Sequence, residues 1–275
     1  MKILAIDIGG TNIKSAIIEG NKVYNFKECS SDAKKGGPYL IERVKHVICS
    51  YSKYDAIGIS TAGRVDKNIG CILYANENIP NYTGMPVKEI LEDYFNVPVF
   101  VENDAKCAAY GEKTFGVGKS LSNFVCLTFG TGIGCAITSN KVISEIEDSN
   151  LADKMQHYES CASTTSLVNK AMTINAKLDS GRKVFNHAKT KQIATCIDEW
   201  SYEVAYCIET IVKYYAVSDI VLGGGVMERK DVFEIICAKV EKLGMNVNLY
   251  QAKLGNKAGL FGIAQMAIEQ CAFEY

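Results

Sequence analysis

The sequence predicts an α/β protein with two related lobes. Its 275 residues are 48% hydrophobic and 22% charged, an ordinary globular composition, and the length suits two domains that share a cleft or one large α/β unit. Apolar strand-like segments alternate with amphipathic helical segments, a rhythm typical of an α/β layer fold. In addition, the hairpin-like segments 4–23 and 124–142 resemble each other, which indicates a duplicated unit.

The two hairpins share their order of features. Each consists of an apolar strand, a glycine-containing turn, a second apolar strand and a polar turn before Lys-Val. At a shift of 120 residues, Thr11 aligns with Thr131 and Ala16 aligns with Ala136. Chance similarity between two hairpins is the alternative to duplication. Duplication predicts two lobes of related topology.

The first part of the chain contains a strand meander followed by alternating elements. Residues 1–27 are predicted to form strands separated by small turns at 9–11 and at Gly20. Apolar residues at helical spacing predict a helix over 38–52. We then expect a strand, a helix, a strand and a helix in "YDAIGISTAG", "PVKEILEDYF", "VPVFVEN" and "DAKCAAYGEKTFG".

The later part of the chain is predicted to be mostly helical around one buried strand. We expect that strand at 218–222 and helices at about 159–176, 190–215, 229–243 and 257–271. Our predicted domains are an N-terminal lobe, 1–105, and a C-terminal lobe, 106–257. The C-terminal helix, about 258–275, is a candidate to return to the first lobe. The connection between lobes is predicted to run through the helix after Asp104, which Asp104 is expected to cap.

Charge and hydropathy argue against two classes of partner. The net charge of −1 gives no general attraction to nucleic acid or to an anionic membrane. No apolar run reaches the roughly 18–20 residues that a membrane span needs. The N-terminus enters a strand directly, without the pattern of a signal peptide. We therefore expect a cytoplasmic protein.

The 11 cysteines contain no CxC or CxxC pair. Clustered pairs are the usual sign of a structural zinc site, so none is expected here. In a reducing compartment, free cysteines within apolar segments behave as small hydrophobic residues. We expect several of them to be core residues, namely Cys49, Cys126, Cys135, Cys207 and Cys237.

Three glycine turns follow predicted strands and could approach a phosphate. They are Gly9-Gly10-Thr11, Gly130-Thr131-Gly132 and Gly223-Gly224-Gly225. Without a Cβ, backbone N–H groups can come close to phosphate oxygens. Any one turn is also explained by hairpin geometry, and none has Walker A or dinucleotide GxGxxG spacing. Together they indicate a nucleotide held from both lobes.

Two charged residues flank the first of these turns. Asp7 lies within the first strand, where it either faces solvent or orients Mg²⁺ beside a phosphate. Lys14 lies in the second strand, where it either meets a phosphate or simply points outward.

A set of ordered motifs resembles the ROK-family sugar kinases of the actin/hexokinase-like ATPase superfamily. The resemblance extends from residue 3 to about residue 267. Its motifs are "IDIGGTNIK", "ISTAGRVD", "NIPNYTG", "VENDAKCAAYGE", "TFGTGIG", "ESCAST", "IVLGGGV" and "LGNKAGLFGIA".

The resemblance implies a two-lobed, ATP- and Mg²⁺-dependent kinase for a hexose-type sugar. Asp104 would be the base that takes the proton of the attacking hydroxyl. Four residues, Gly63, Asn78, Asn103 and Glu159, would hold the sugar with it. The nucleotide would be bound by Gly9, Gly10, Thr11 and Lys14 from one lobe and by Gly130, Thr131, Gly132 and Gly224 from the other. A homodimer is also implied.

The segment 142–160 departs from the family pattern. Many members carry a histidine and then a CxCGxxGC zinc cluster in this region, whereas here the segment is shorter and Cys161 alone cannot make such a site. Asp148 or Glu147 stands near the histidine position. His157 either replaces that histidine or is exposed in a loop. A shorter loop leaves a more open pocket, which could admit a substituted or larger sugar such as N-acetylmannosamine or a β-glucoside. Glucose is the other hexose-type candidate, and exclusive use of glucose would contradict the more open pocket.

Two other functions were weighed against the sugar kinase. Family regulators carry a helix-turn-helix ahead of the first strand, and none is expected because the strand starts at residue 3. A sensor that had lost catalysis would be expected to lose its base, whereas Asp104 is present. A related kinase for acetate or pantothenate is the third possibility, against which the "NIP" and "END" motifs favour a sugar.

Overall fold

The computed structural model describes residues 1–139, 142–146 and 148–273. The chain divides into two compact units. Unit 1 combines Met1–Lys119 with Lys257–Tyr275, and unit 2 is Ser120–Asn256.

Unit 1 contains a five-stranded sheet of order β3-β2-β1-β4-β7 and a separate hairpin, β5-β6. Its strands are β1 (Ile3–Ile8), β2 (Asn12–Glu19), β3 (Lys22–Ser30), β4 (Ala56–Thr61), β5 (Arg64–Asp66), β6 (Cys71–Tyr74) and β7 (Val99–Asn103). Its helices are α1 (Gly37–Cys49), α2 (Val87–Phe95), α3 (Asp104–Thr114) and α9 (Ala258–Phe273). Strands β1, β4 and β7 run parallel, and β2 is antiparallel to β1.

Helices cover both faces of this sheet, which explains why β1 and β4 are almost continuously apolar. On one face, Leu4 and Ile6 share a core with Leu40 and Val44 of α1. On the other face, α9 packs against β1 and β4. A Cβ on Gly58 would lie 2.9 Å from Cγ1 of Ile263, so glycine at this position allows α9 to approach.

The domain boundary lies after Lys119 and not after residue 105 as we expected. The reason is that α3 packs closely on α9 within unit 1. A side chain on Gly111 or on Gly262 would overlap the backbone of the opposite helix. The small residues that permit this approach are spread over two segments about 150 residues apart, so no local sequence pattern shows it.

Unit 2 has a sheet of order β10-β9-β8-β11-β12. Its strands are β8 (Phe124–Phe129), β9 (Ile133–Ser139), β10 (Val142–Ser144), β11 (Asp219–Gly223) and β12 (Asn248–Gln251). Its helices are α4 (Ser149–Ala162), α5 (Thr164–Ile174), α6 (Gly181–Asn186), α7 (Lys191–Tyr215) and α8 (Lys230–Lys242). Apolar side chains of β8 and β11 form one core with those of α7 and α8.

The two sheets have the same strand order and the same strand directions, which confirms the prediction of two related lobes. The last pair of the first hairpin is Ile8–Ile13 and that of the second is Phe129–Ile133. Equivalent residues of the two hairpins are therefore 121 positions apart before the turn (129 − 8) and 120 positions apart after it (133 − 13). The second turn is one residue shorter.

The helix predicted over 159–176 is two helices, which is a correction. α4 ends at Ala162 and α5 begins at Thr164. Between them Ser163 has extended backbone angles, and its Oγ accepts a hydrogen bond from the N–H of Ser166 at 3.1 Å. The indole of Trp200 donates to the carbonyls of Ala162 and Ser163, which fixes this break in the core.

All 11 cysteines lie among the described residues, and all are unbridged. Cys126, Cys135 and Cys207 are buried as predicted. Two predictions were wrong, because Cys49 is exposed in the last turn of α1 and Cys237 is half-buried beside the inward face of α8.

Among residues 1–139, 142–146 and 148–273, no helix is long and apolar enough to cross a membrane. In the same residues, no group of three or more histidine, cysteine, aspartate or glutamate side chains is placed to hold a metal ion.

Candidate functional site

Three parallel strands of unit 1 end at the same edge of the sheet. Ile8 is paired with Thr61, and Thr61 is paired with Asn103. The carboxyl ends of parallel strands are where α/β sheets usually bind ligands. The segments that follow these ends are the turn 9–11, the turn at Gly63 and Asp104. The structure thus brings these predicted site residues of unit 1 together.

Asn103 fixes the start of α3, a role that we had assigned to Asp104. Asn103 keeps extended backbone angles, and its Oδ1 accepts a hydrogen bond from the N–H of Lys106 at 3.1 Å. Its Nδ2 donates to the carbonyl oxygen of Gly63 at 2.9 Å. Asn103 is therefore the N-cap, and the prediction that Asp104 caps the helix was wrong. The amide also ties the end of β7 to the turn after β4.

Asp104 is the first residue of α3 and is half-buried. Its Oδ1 accepts a hydrogen bond from the N–H of Ala105 at 2.8 Å. A carboxylate in the first turn of a helix is stabilised by the unpaired N–H groups and by the helix dipole. The position therefore places the carboxylate beside the positive end of the helix dipole.

Gly63 is required by the backbone. Its φ is 100°, and a Cβ would lie 2.6 Å from the carbonyl oxygen of Tyr74. A side chain at this position would thus be strained in conformation and crowded in space. The close approach holds the turn after β4 against the hairpin β5-β6.

Asn78 lies in the loop after β6 and is half-buried. Its N–H donates to Oδ1 of Asn76 at 3.1 Å. Nζ of Lys34 donates to Oδ1 of Asn78 at 3.4 Å and to the carbonyl of Glu77 at 3.1 Å. The sequence analysis missed Lys34, because only the folded chain brings residues 34 and 78 together.

Asp7 lies between two polar neighbours and does not simply face solvent. It is paired with Lys14 across β1-β2 and with Ser60 across β1-β4. Nζ of Lys14 is 3.8 Å from Oδ2 of Asp7, and Oγ of Ser60 donates to Oδ1 at 2.7 Å. The side chain of Asp7 is 18% exposed. One carboxylate that keeps some exposure fits Mg²⁺, which is usually held by one or two carboxylates together with substrate phosphates.

The turn 130–132 in unit 2 is fixed by hydrogen bonds. The N–H of Gly130 donates to the carbonyl of Gly132 at 2.9 Å, and the N–H of Thr164 donates to the carbonyl of Gly130 at 3.0 Å. Oε2 of Glu159 accepts from the N–H of Ile133 at 3.1 Å, and a side chain on Gly132 would overlap this carboxylate. Glu159 therefore lies against the turn, and Thr164 is a supporting residue that the sequence analysis missed.

Gly224 lies at the same edge of the unit 2 sheet, because its neighbour Gly223 is paired with Thr128. Its φ is 92°, and a Cβ would overlap the backbone of Phe129. Glycine is required here because the chain after β11 crosses directly over the end of β8.

The residues considered as substitutes for the family histidine are not equivalent in the structure. His157 is exposed, as one alternative had it, but it lies on α4 and not in a loop. Oδ1 of Asp148 accepts from the N–H of Leu151 at 2.8 Å, so Asp148 is the N-cap of α4. Glu147 lies outside the described residues.

Comparison with known proteins gives one family for the whole chain. Residues 3–145 and 155–270 match the ROK family. An uncharacterised protein of Clostridium perfringens is 37% identical over 280 residues, with 94% of each chain covered. A β-glucoside kinase of Klebsiella pneumoniae is 26% identical, covering 95% of this chain and 94% of the kinase.

Solved structures give the same fold. A ROK family glucokinase of Streptomyces griseus, in complex with glucose and AMPPNP, superposes with a TM-score of 0.82. It is 22% identical and covers 98% of this chain and 100% of its own. The relatives also include a regulator, since a xylose repressor of Bacillus subtilis is 25% identical over 84% of this chain and 66% of its own. The expected fold is thus confirmed, and the chain belongs to the ROK family.

Proposed function

We propose that this chain transfers the γ-phosphoryl group of ATP to a hydroxyl of a hexose-type sugar, with Asp104 as the general base. The observation that carries this proposal is the common edge of β1, β4 and β7. There a glycine turn, a carboxylate at a helix N-terminus and the amide of Asn103 follow neighbouring strand ends. These are the parts that phosphoryl transfer to an alcohol requires.

The proposed role of Asp104 follows from the rigid backbone that carries its side chain. Phosphoryl transfer needs positioning and charge neutralisation more than covalent help from the protein. A base has to reach the hydroxyl proton at about 2.6–3.2 Å, so its side chain needs a rigid support. Asp104 has one, because the cap of α3 and the Asn103–Gly63 hydrogen bond fix the backbone on which it stands. In our proposal it accepts the proton as the hydroxyl attacks.

The glycine turns would bind the nucleotide. Gly9, Gly10, Thr11 and Lys14 would meet the phosphates from unit 1, and Gly130, Thr131 and Gly132 would meet them from unit 2. Gly224 would border the adenosine. A Cβ on Gly130 would meet no atom within 4 Å, so space for a ligand exists beside that turn. Asp7 would hold Mg²⁺, directly or through water, and the ion would neutralise charge on the transferred group.

The acceptor sugar would be held by Gly63, Asn78, Asn103 and Glu159, whose amide and carboxylate groups suit hydroxyl partners. Among hexose-type sugars we favour a β-glucoside. α4 begins at Ser149, five residues after β10 ends at Ser144, so the zinc-bearing insertion of many ROK kinases has no room here. The Klebsiella relative is named a β-glucoside kinase, which supports the same choice.

The first prediction tests the reaction and its base. ADP release with ATP and Mg²⁺ would be measured on glucose, N-acetylmannosamine and cellobiose, for the wild type and for Asp104→Asn. We expect turnover with at least one sugar, highest with cellobiose, and a loss of at least about 100-fold in kcat in the variant, the scale of general-base catalysis.

The matched control is Asp93→Asn, an exposed carboxylate on α2. Its kcat should equal that of the wild type. Undiminished turnover by Asp104→Asn would remove Asp104 from the role of base. Sugar binding without turnover by the wild type would favour the regulator, and turnover only with acetate or pantothenate would favour a different acceptor.

A homodimer is part of the proposal. Tyr206 and Tyr214 of α7 are 40% and 48% exposed, which is more than aromatic side chains of a core helix usually are. Sedimentation velocity should give about twice the monomer mass of 30.1 kDa.

A further inference from the structure

The proposed metal-binding carboxylate, Asp7 on β1, is hydrogen-bonded to a buried serine of the neighbouring strand, Ser60 on β4. Asp7 and Ser60 are register partners on parallel strands, so their side chains point to the same face of the sheet. Oγ of Ser60 donates to Oδ1 of Asp7 at 2.7 Å, and Ser60 is fully buried.

α9 closes one side of the Asp7–Ser60 pair. A Cβ on Gly259 would lie 2.9 Å from Oδ1 of Asp7 and 3.1 Å from Oγ of Ser60. Backbone of α9 therefore lies directly against the Asp7–Ser60 hydrogen bond and leaves little space for either side chain to rotate. Oδ2, on the other side of the Asp7 carboxylate, faces Lys14.

We propose that Ser60 is a positioning residue for Asp7: its hydroxyl holds the Asp7 carboxylate in the rotamer that binds the magnesium–nucleotide complex. This inference rests on the proposed function, in which Asp7 holds Mg²⁺. Outer partners that orient a ligating carboxylate change metal affinity by about 10- to 100-fold when they are removed.

The test is metal binding, which can be read without turnover. Mn²⁺ would be titrated into the full chain with AMPPNP present, and bound Mn²⁺ would be followed by electron paramagnetic resonance. We expect Ser60→Ala to raise the Kd for Mn²⁺ about tenfold. The Mg²⁺ concentration for half-maximal kcat should rise by a similar factor, whereas KM for the sugar should stay unchanged.

Ser15→Ala is the matched control. Ser15 is a buried strand serine of the same sheet whose hydroxyl bonds to Tyr51 and not to Asp7. Both variants lose one buried hydrogen bond, so both should lose similar thermal stability, but only Ser60→Ala should change Mn²⁺ affinity. Equal Mn²⁺ affinity in Ser60→Ala and the wild type would overturn the inference.

The outcomes also separate this inference from the proposed function. A wild type that binds Mn²⁺ with AMPPNP but phosphorylates no sugar would contradict the reaction and leave the positioning role measurable. A wild type that binds no Mn²⁺ with AMPPNP would overturn the positioning role together with the metal role of Asp7.

Discussion

At the scale of single residues, the side chain of Asn103 makes two hydrogen bonds with different structural roles, and a substitution can separate them. Its Oδ1 caps α3 and its Nδ2 holds the Gly63 turn. Asn103→Ser keeps a good N-cap acceptor and loses the amide donor, whereas Asn103→Ala loses both. We expect Ala to cost about 1 kcal/mol of unfolding free energy and Ser much less. Both should lower kcat, because both release the turn beside Asp104.

Urea unfolding and steady-state kinetics on the same preparations would check this prediction. Full activity in Asn103→Ser would mean that the cap alone supports Asp104. Equal stability of the two variants would argue against the cap itself.

Residue motifs supply the carboxylates and glycine turns of the candidate site, but not the contacts that support them in the structure. Asp104 and Asp7 stand inside recognisable motifs. Ser60 lies 53 positions from Asp7, and only the pairing of β1 with β4 makes the two neighbours. The sequence did not show that Asn103 caps α3 in place of Asp104, and the reason is different. Either residue type can cap a helix, and backbone angles at the end of β7 decide which one does.

At the scale of elements, the contact between α3 and α9 predicts a reversal of the usual helix rule. Replacing a mid-helix glycine with alanine normally stabilises a helix by about 1 kcal/mol. At Gly262, however, the new methyl group would overlap the backbone of Cys107. Gly262→Ala should therefore destabilise the protein by about 1–3 kcal/mol, the cost of overpacking. Thermal unfolding measures the sign, and a stabilised variant would contradict the packing described for these helices.

The break between α4 and α5 shows why helix boundaries were less predictable than helix existence. No glycine or proline interrupts residues 159–176, so the sequence alone is compatible with one helix. The break depends on the Ser163 cap and on the indole of Trp200, which donates to the carbonyls of Ala162 and Ser163. Trp200 is 37 residues further along the chain from Ser163, so no local window contains both groups.

At the scale of the whole molecule, the repeated hairpins were sufficient to predict two related sheets, whereas the unit boundary was not predictable. Duplication leaves a signal in sequence because both copies keep the same turn and the same strand pattern. The assignment of α3 to unit 1 depends instead on close packing with α9, which leaves only scattered small residues in the sequence.

Unit 1 should consequently need α9 in order to fold. The segment 1–119 alone would expose the faces of β1 and β4 that α9 covers. We expect this segment to show no cooperative unfolding, and we expect the same segment joined to residues 257–275 by a flexible linker to unfold cooperatively. Circular dichroism during urea unfolding would compare the two. Cooperative unfolding of 1–119 by itself would contradict the prediction.

The return of α9 to unit 1 also affects folding during synthesis on the ribosome. A ribosome completes all of unit 2 before it synthesises α9, so the first sheet waits for its covering helix. At about 5–20 residues per second, that wait is on the order of 10–30 seconds. During this time nascent unit 1 presents an uncovered apolar sheet face, the kind of surface that chaperones bind, while unit 2 can already fold from contiguous chain. The order of synthesis is thus opposite to the expected order of folding.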